Sequence, residues 1–193
     1  MSKKIAMIGS GSLVFCKTLV ADILTTPALQ DSHICLMNRT MPKLERIAGF
    51  VQRMITDSKL PAIVSSTTDR RKALDGADFV IVMIQVGGLS AFQHDYEIPL
   101  SFGVDQCIGD SLGPGGVFRG LRTIPVLLDI AKDMRELSAP GAIMLNYANP
   151  MGLVCSGLCL GAEVPFVGLC HGVQTTLDLI SRYVNVPKEH IDH

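Results

Sequence analysis

A cysteine and a histidine stand side by side late in the chain, where a buried strand gives way to a helix. Cys170 and His171 directly follow the apolar run 165–169, and a helix is expected to begin near Gln174. In an open α/β sheet the carboxyl ends of the strands face the ligand crevice. A thiolate at that edge is a ligand for a borderline metal ion, and an imidazole can serve as an acid or a base. The alternative is a buried cysteine that packs as a small hydrophobe beside a helix-capping histidine.

A glycine-rich turn near the start of the chain predicts a dinucleotide site. The residues Gly9, Ser10, Gly11 and Ser12 join a short apolar strand to a helical run. Gly9 lets the strand turn sharply, Gly11 lets the backbone approach a pyrophosphate, and the helix N-terminus supplies free N–H donors. Ser12 adds a hydroxyl or caps the helix. The third glycine of the G-x-G-x-x-G pattern is replaced by Val14.

The end of the second strand lacks the acidic residue that usually binds the adenosine ribose. Asn38 and Arg39 stand there instead. Asn38 can still hydrogen-bond a ribose hydroxyl, whereas Arg39 either meets a 2′-phosphate or lies in solvent. We therefore predict NAD as the cofactor, with NADP as the alternative.

Two further turns carry polar residues that could contact a substrate. Asp110 lies in the glycine-rich stretch 109–119 before a long helix, where it either caps a structural loop or exchanges a proton with a substrate hydroxyl. Asn146 and Asn149 close the fifth strand. Their amides either orient a nicotinamide or sugar hydroxyl, or satisfy the turn backbone before Pro150.

Short apolar runs alternate with amphipathic stretches from end to end. This alternation predicts an α/β fold, a doubly wound and mostly parallel sheet of the Rossmann type. We expect strands at 4–8, 33–37, 62–65, 79–84, 142–145 and 166–169, and helices at 13–24, 42–57, 70–74, 117–137, 152–160 and 174–183. The segment 87–116 is the longest without clear periodicity, and such segments are often functional.

Composition excludes several classes of function. The chain has 193 residues, 48% of them hydrophobic, which indicates a single globular domain. Its net charge of −1 argues against nucleic-acid binding. None of the six cysteines forms a C-x-x-C pair, which favours reduced thiols in a cytoplasmic protein. No signal peptide or membrane-spanning apolar stretch is evident, so no membrane partner is expected.

Four motifs, in this order, resemble those of glycoside hydrolase family 4, the NAD- and metal-dependent glycosidases. They lie at 9–12, 110–116, 146–151 and 170–173. Within that family, a cysteine followed by histidine resembles the branch that acts on unphosphorylated α-glycosides such as α-galactosides. Gly172 leaves α-glucuronides open.

The resemblance implies a mechanism unlike that of two-carboxylate glycosidases. NAD would take a hydride from C3 of the sugar, and the resulting ketone would acidify the C2 proton. A divalent metal, typically Mn²⁺, would polarise the ketone oxygen. Elimination would then expel the aglycone, water would add, and the hydride would return, so that no net NADH forms.

The resemblance also implies residue roles. Cys170 would be a metal ligand, Asn149 would hold sugar hydroxyls, and His171 or Asp110 would assist departure of the leaving group. The family draws a second metal-binding histidine and a tyrosine base from beyond the region that matches. Residues 1–193 are therefore expected to be the dinucleotide-binding domain of a longer enzyme, without its C-terminal substrate and oligomerisation domain, and the enzyme is expected to be a homodimer or homotetramer. The pair at 38–39 departs from the family, which commonly has an aspartate there.

Two other functions stay open. One is an NAD-dependent 2-hydroxy-acid dehydrogenase of the lactate or malate type, in which Arg119 and Arg122 would hold the substrate carboxylate. The neighbouring Cys170 and His171 have no role in that chemistry. The other is a non-catalytic nucleotide-binding module, which would bind a cofactor without turnover.

Overall fold

Six short strands form one sheet in this computed structural model, which describes residues 2–106 and 112–192 except for the side chain of His171. In chain order the strands are β1 (Lys4–Ile8), β2 (His33–Met37), β3 (Ile63–Thr67), β4 (Phe79–Val82), β5 (Ile143–Asn146) and β6 (Phe166–Gly168). Their order across the sheet is β3-β2-β1-β4-β5-β6, and every neighbouring pair is parallel. The strand order reverses between β1 and β4, which is where open α/β sheets bind ligands.

Seven α-helices connect and cover the strands. They are α1 (Leu13–Thr25), α2 (Met41–Asp57), α3 (Arg70–Leu74), α4 (Gly88–Ser101), α5 (Pro114–Leu137), α6 (Met151–Gly161) and α7 (His171–Val184). Two 3₁₀ turns lie at Pro27–Leu29 and Lys188–His190. No helix in the described part of the chain is both long and apolar enough to cross a membrane.

Side chains of the central strand alternate between two hydrophobic cores. Ala6 and Ile8 pack with residues of α3, α5 and α6, including Leu127. Ile5 and Met7 pack on the opposite face with residues of α1 and α2. Because both faces of the sheet are covered by helices, the predicted doubly wound fold is confirmed, with all six strands parallel.

The segment 87–116, expected to be irregular, contains helix α4. This helix gives no amphipathic signal because it buries only Asp95 and Pro99, while apolar side chains such as Leu89 (79% exposed) face outwards. Helix α7 also begins earlier than expected, at His171 rather than near Gln174.

A buried ion pair, rather than an apolar stripe, holds α4 on α5. Both terminal nitrogens of Arg122 donate to the carboxylate of Asp95, and its Nε donates to the carbonyl oxygen of Val86 at 3.0 Å. Asp95 is only 3% exposed. The hydrogen bond to Asp95 raises the pKa of Arg122. Removing one member would leave the other charge buried and unpaired, which is costly.

We therefore expect Asp95→Ala to lower the free energy of unfolding by about 3 kcal/mol, as measured by urea denaturation. The matched control is Asp129→Ala, which removes an exposed carboxylate from α5. That change is expected to shift stability by less than about 0.5 kcal/mol. Equal losses in the two variants would contradict the assigned role of the Arg122–Asp95 pair.

Candidate functional site

A cavity of about 460 Å³ opens at the carboxyl ends of β1, β2 and β4. The Gly9–Ser12 turn forms one wall, Met37 to Lys43 form a second, and residues 83–85 after β4 form a third. The cavity therefore lies at the reversal of strand order between β1 and β4, as expected for a dinucleotide site in this fold.

The Gly9–Ser12 turn is clamped against both neighbouring strands. Gly9 has φ +95°, and a Cβ placed on it would lie 2.7 Å from the carbonyl oxygen of Met83. The N–H groups of Gly9 and Ser10 both donate to the carbonyl oxygen of Met37, at 2.9 and 3.0 Å. The buried Ser10 hydroxyl donates to the carbonyl oxygen of Met7 at 2.7 Å. A side chain at position 9 would therefore collide with the backbone of Met83, just after β4.

Helix α1 starts at the mouth of this turn. Its N-cap, Ser12, makes no side-chain capping bond. Its hydroxyl, together with the first-turn N–H groups, therefore remains suited to bind an anion such as a diphosphate. Val14, at the position of the missing third glycine, is 74% exposed. Since its side chain lies outside the helix–sheet contact, the third glycine is not needed for packing here.

The residues predicted to meet the adenosine ribose also line the cavity. The Oδ1 atom of Asn38 accepts a hydrogen bond from the N–H of Arg39 at 2.8 Å. Its Nδ2 lies beside the Gly9–Ser12 turn, since a Cβ placed on Gly11 would be 2.8 Å away from it. The structure thus brings together Gly9, Gly11, Ser12, Asn38 and Arg39 around one cavity.

Asn146 is used by the turn after β5. Its amide accepts from the N–H of Ala148 at 3.1 Å and donates to the carbonyl oxygen of the same residue at 3.2 Å. The side chain is fully buried. This geometry matches the turn-satisfying alternative, and a direct contact between Asn146 and a cofactor stays a prediction. Asn149 is exposed at the end of the same turn, just before α6.

Cys170 lies at the same edge of the sheet. It follows β6, is exposed, and is the N-cap of α7 without a side-chain capping bond. The preceding residue, Leu169, donates its N–H to the carbonyl oxygen of Asn146 at 2.9 Å, which joins the ends of β5 and β6. Asn149 and Cys170 therefore follow adjacent strands. His171 begins α7, but its side chain lies outside the described residues, as does the whole of Asp110.

Burial distinguishes Cys170 from the cysteines that pack in the fold. Desolvation raises the pKa of the fully buried Cys16 to about 11, so its thiol stays protonated. Burial also raises the pKa of Cys155, against a hydrogen bond from Asn146 that lowers it. A thiolate ligand needs an accessible thiol. Among the cysteines next to the strand ends, Cys170 meets this requirement and Cys155 does not.

The described residues do not form a complete metal centre. Within 2–106 and 112–192, no group of three or more histidine, cysteine, aspartate or glutamate side chains is positioned to hold a metal ion. Cys170 is thus a single candidate ligand, and no reaction step through a metal follows from this geometry.

The arginines that a hydroxy-acid dehydrogenase would need are already engaged. Arg122 is bound to Asp95 and Val86, as described above. The guanidinium of Arg119 lies over the ring of Phe92, 5.5 Å from its centroid. This arrangement disfavours a substrate carboxylate at Arg122.

Sequence reasoning missed two cations at the cavity. Lys43 lies in the first turn of α2, and Arg70 begins α3 after β3. Arg70 is held by Asp133 of α5, with Nε–Oδ2 at 2.7 Å. Arg70 opens the predicted helix 70–74, but no sequence signal distinguishes it from its neighbours Arg71 and Lys72.

Comparison with known proteins identifies the family. The model described as "Family 4 glycosyl hydrolase" matches residues 4–186. An α-galactosidase of Rhizobium meliloti (strain 1021) is 44% identical over 192 residues, covering 100% of this chain and 39% of the relative. An α-glucosidase of Erwinia rhapontici is 39% identical, covering 90% of this chain and 38% of that protein. The chain thus spans about two fifths of these relatives' length.

A solved structure shares the fold. A 6-phospho-α-glucosidase from gut microorganisms, in complex with NAD and Mn²⁺, matches with a TM-score of 0.84 at 24% identity, covering 100% of this chain and 44% of that one. That likeness concerns the fold, whereas the family follows from the match over 4–186: the chain belongs to family 4 of the glycosyl hydrolases.

Proposed function

We propose that this chain is the dinucleotide-binding domain of an NAD- and metal-dependent glycosidase that cleaves unphosphorylated α-glycosides, with α-galactosides as the first candidate. One observation carries the proposal. The cavity beside Gly9 and the polar residues Asn149 and Cys170 all lie at the carboxyl edge of one parallel sheet. The α-galactosidase and α-glucosidase names of the relatives support the substrate class.

The residues of the turn fit a dinucleotide. Gly9 lets the turn pack against the carbonyl group of Met83, where a Cβ would have no room, and the open start of α1 offers N–H donors to a diphosphate. The bound nicotinamide would supply a reversible hydride acceptor for the sugar. Asn146 would hold the 147–150 turn in place through its two bonds to Ala148, and so position Asn149.

Asn149 would bind sugar hydroxyls, since its amide is exposed at the strand end and offers both a donor and an acceptor. Cys170 would contribute a thiolate to a divalent metal, for which Mn²⁺ is the candidate. The other ligands of the metal ion would come from outside the described residues. His171 and Asp110 are proposed to assist departure of the leaving group.

The whole protein is proposed to be cytoplasmic and a homodimer or homotetramer. All five cysteines in the described part are free, which suits a reducing compartment. Exposed apolar side chains on α4 and α7, including Leu89 and Tyr183, could be covered by another subunit of the oligomer. For residues 1–193 alone, we propose dinucleotide binding without turnover, because the described residues hold no complete metal group.

The activity is tested on the protein as it occurs in the cell, with any further segment it carries. We expect p-nitrophenyl α-galactoside to release nitrophenol only when NAD, Mn²⁺ and a thiol reductant are all present. Absorbance at the NADH band should show no net reduction, because the hydride returns to the sugar. Release that is independent of NAD, or net NADH from a 2-hydroxy acid, would refute the proposed reaction.

The metal role of Cys170 is tested with Cys170→Ser in the same protein. Changing an outer hydrogen-bond partner of a metal ligand costs about 10- to 100-fold, so losing a ligand should lower Mn²⁺-dependent turnover by more than about a hundredfold. Dinucleotide affinity, measured by NADH fluorescence, should not change. The control is Cys159→Ser, an exposed cysteine on α6 that should leave both quantities intact. Full activity in Cys170→Ser would remove the thiolate from the site.

The dinucleotide turn is tested by comparing Gly9→Ala with Gly76→Ala. Both glycines have a positive φ, +95° and +63°, so each substitution carries backbone strain of about 1 to 2 kcal/mol. Only the Cβ at position 9 meets another group, the carbonyl oxygen of Met83, whereas position 76 has nothing within 4 Å. Gly9→Ala should therefore lose more stability in urea and also lose NADH binding. Unchanged NADH affinity in Gly9→Ala would place the dinucleotide elsewhere.

A further inference from the structure

The cavity wall formed by residues 83–85 is held at its inner end by β1. The N–H of Met83 donates to the carbonyl oxygen of Ile8, the last residue of that strand, at 2.9 Å. The carbonyl oxygen of Met83 lies against Gly9, where a Cβ would be only 2.7 Å away from it. These two contacts fix the point at which the chain leaves β4 and enters the wall.

The outer end of this wall is held by a side chain from α5. The carbonyl oxygen of Val86, the residue directly after the wall, accepts a hydrogen bond from Nε of Arg122 at 3.0 Å. Ile84 and Gln85 lie between the two fixed points, and both line the cavity. A two-residue stretch that is fixed at both ends has little freedom, since each residue contributes only two soft dihedral angles. Arg122 therefore determines where the outer part of the wall lies.

The face of α5 that carries Arg122 also forms part of the cavity. Side chains four positions apart lie on the same face of a helix, and Val126 and Ile130 follow Arg122 at this spacing. Both of these apolar side chains line the cavity. Arg122 is not among the described residues that line it, so its guanidinium acts on the cavity through the Val86 carbonyl.

Gly87 leaves the space that this contact needs. It has φ +84°, and a Cβ placed on it would lie 3.3 Å from Nε of Arg122 and 2.5 Å from the Cβ of Ala91. The next residue, Gly88, also has a positive φ of +63°, but a Cβ there would meet nothing within 4 Å. The turn into α4 is thus packed closely around the guanidinium at position 87 and not at position 88.

Asp95 fixes the guanidinium in the orientation that reaches Val86. Both terminal nitrogens of Arg122 donate to the Asp95 carboxylate, one of them at 2.7 Å, which leaves Nε as the donor to the carbonyl oxygen. Because the guanidinium is planar and its N–H groups form a rigid fork, holding its terminal nitrogens also sets the direction of the Nε–H bond. The pair carries no net charge, so its effect on the cavity is one of position.

We propose that Arg122, oriented by Asp95, is a positioning residue for the bound dinucleotide. It holds the Val86 carbonyl and thereby sets the place of Ile84 and Gln85, which would lie against the ligand. The inference rests on the proposed dinucleotide function. The bonds that hold α4 on α5 thus also shape the binding cavity, through a side chain that does not touch the ligand itself.

The test compares NADH affinity, measured by fluorescence titration, with stability in urea, both on the full protein. Arg122→Lys keeps a positive charge opposite Asp95 but lacks the rigid Nε donor to Val86. Loss of this one hydrogen bond frees the outer end of the wall. We therefore expect the dissociation constant of NADH to rise by about fivefold or more.

A double variant separates positioning from stability. Arg122→Met combined with Asp95→Leu removes both buried charges, and apolar replacement of such a pair is often neutral or stabilising. The Val86 carbonyl still lacks its donor in this variant. NADH should therefore bind as weakly as in Arg122→Lys, although the urea midpoint stays close to that of the unaltered protein. This variant also keeps the test decisive if Arg122→Lys fails to fold.

The matched control is Met134→Ala, which removes a buried side chain from the far end of α5. Met134 is not among the described residues that line the cavity. This change should lower the urea midpoint and leave the dissociation constant of NADH within about twofold.

Two results would reduce Arg122 to a structural role: recovery of NADH affinity in the double variant, or an equal loss of affinity in Met134→Ala. Unchanged NADH affinity in Arg122→Lys would also overturn the inference and leave the proposed function standing. Failure of the unaltered protein to bind NADH would instead overturn the proposed function.

Discussion

The contact between the Gly9–Ser12 turn and its two neighbouring strands determines where the cavity lies. Two successive N–H groups, of Gly9 and Ser10, donate to the single carbonyl oxygen of Met37 at the end of β2. On the other side, Gly9 rests against the Met83 carbonyl with no room for a Cβ. These two contacts direct the start of α1 towards the cavity at the carboxyl ends of β2 and β4. They also bring Gly11 next to Asn38.

Most of the fold follows from local sequence signals, and its one large omission has a tertiary cause. The predicted bounds of β1, β2 and α3 match the observed ones. The signals for these elements, apolar runs and the residues that begin and end them, all lie close together in the chain. Helix α4 depends instead on Arg122, 27 residues from Asp95 in the chain. Its own residues carry no apolar stripe, so periodicity alone could not reveal it.

The site also contains residues that have a local sequence signal and residues that are positioned by distant contacts. Gly9, Ser12, Asn38 and Arg39 could be predicted because they lie in the turns after β1 and β2, and parallel neighbouring strands end together at one edge. Arg70 could not, since Asp133, 63 residues away, holds its guanidinium in place. For the residues after β5, sequence left two roles open. The bonds of Asn146 to Ala148 favour the structural one, because a fully buried amide that is already paired gains little from changing partners.

Local charge, rather than the net charge of −1, governs what this edge of the sheet can bind. At physiological ionic strength the screening length is about 8 Å, so distant carboxylates do little to offset cations that line the cavity. Arg70 and Arg71 share the carboxylates of Asp133 and Glu136, and this network of two cations and two anions is neutral. The surplus positive charge at the cavity therefore comes from Arg39 and Lys43, on the adenosine side of the Gly9–Ser12 turn.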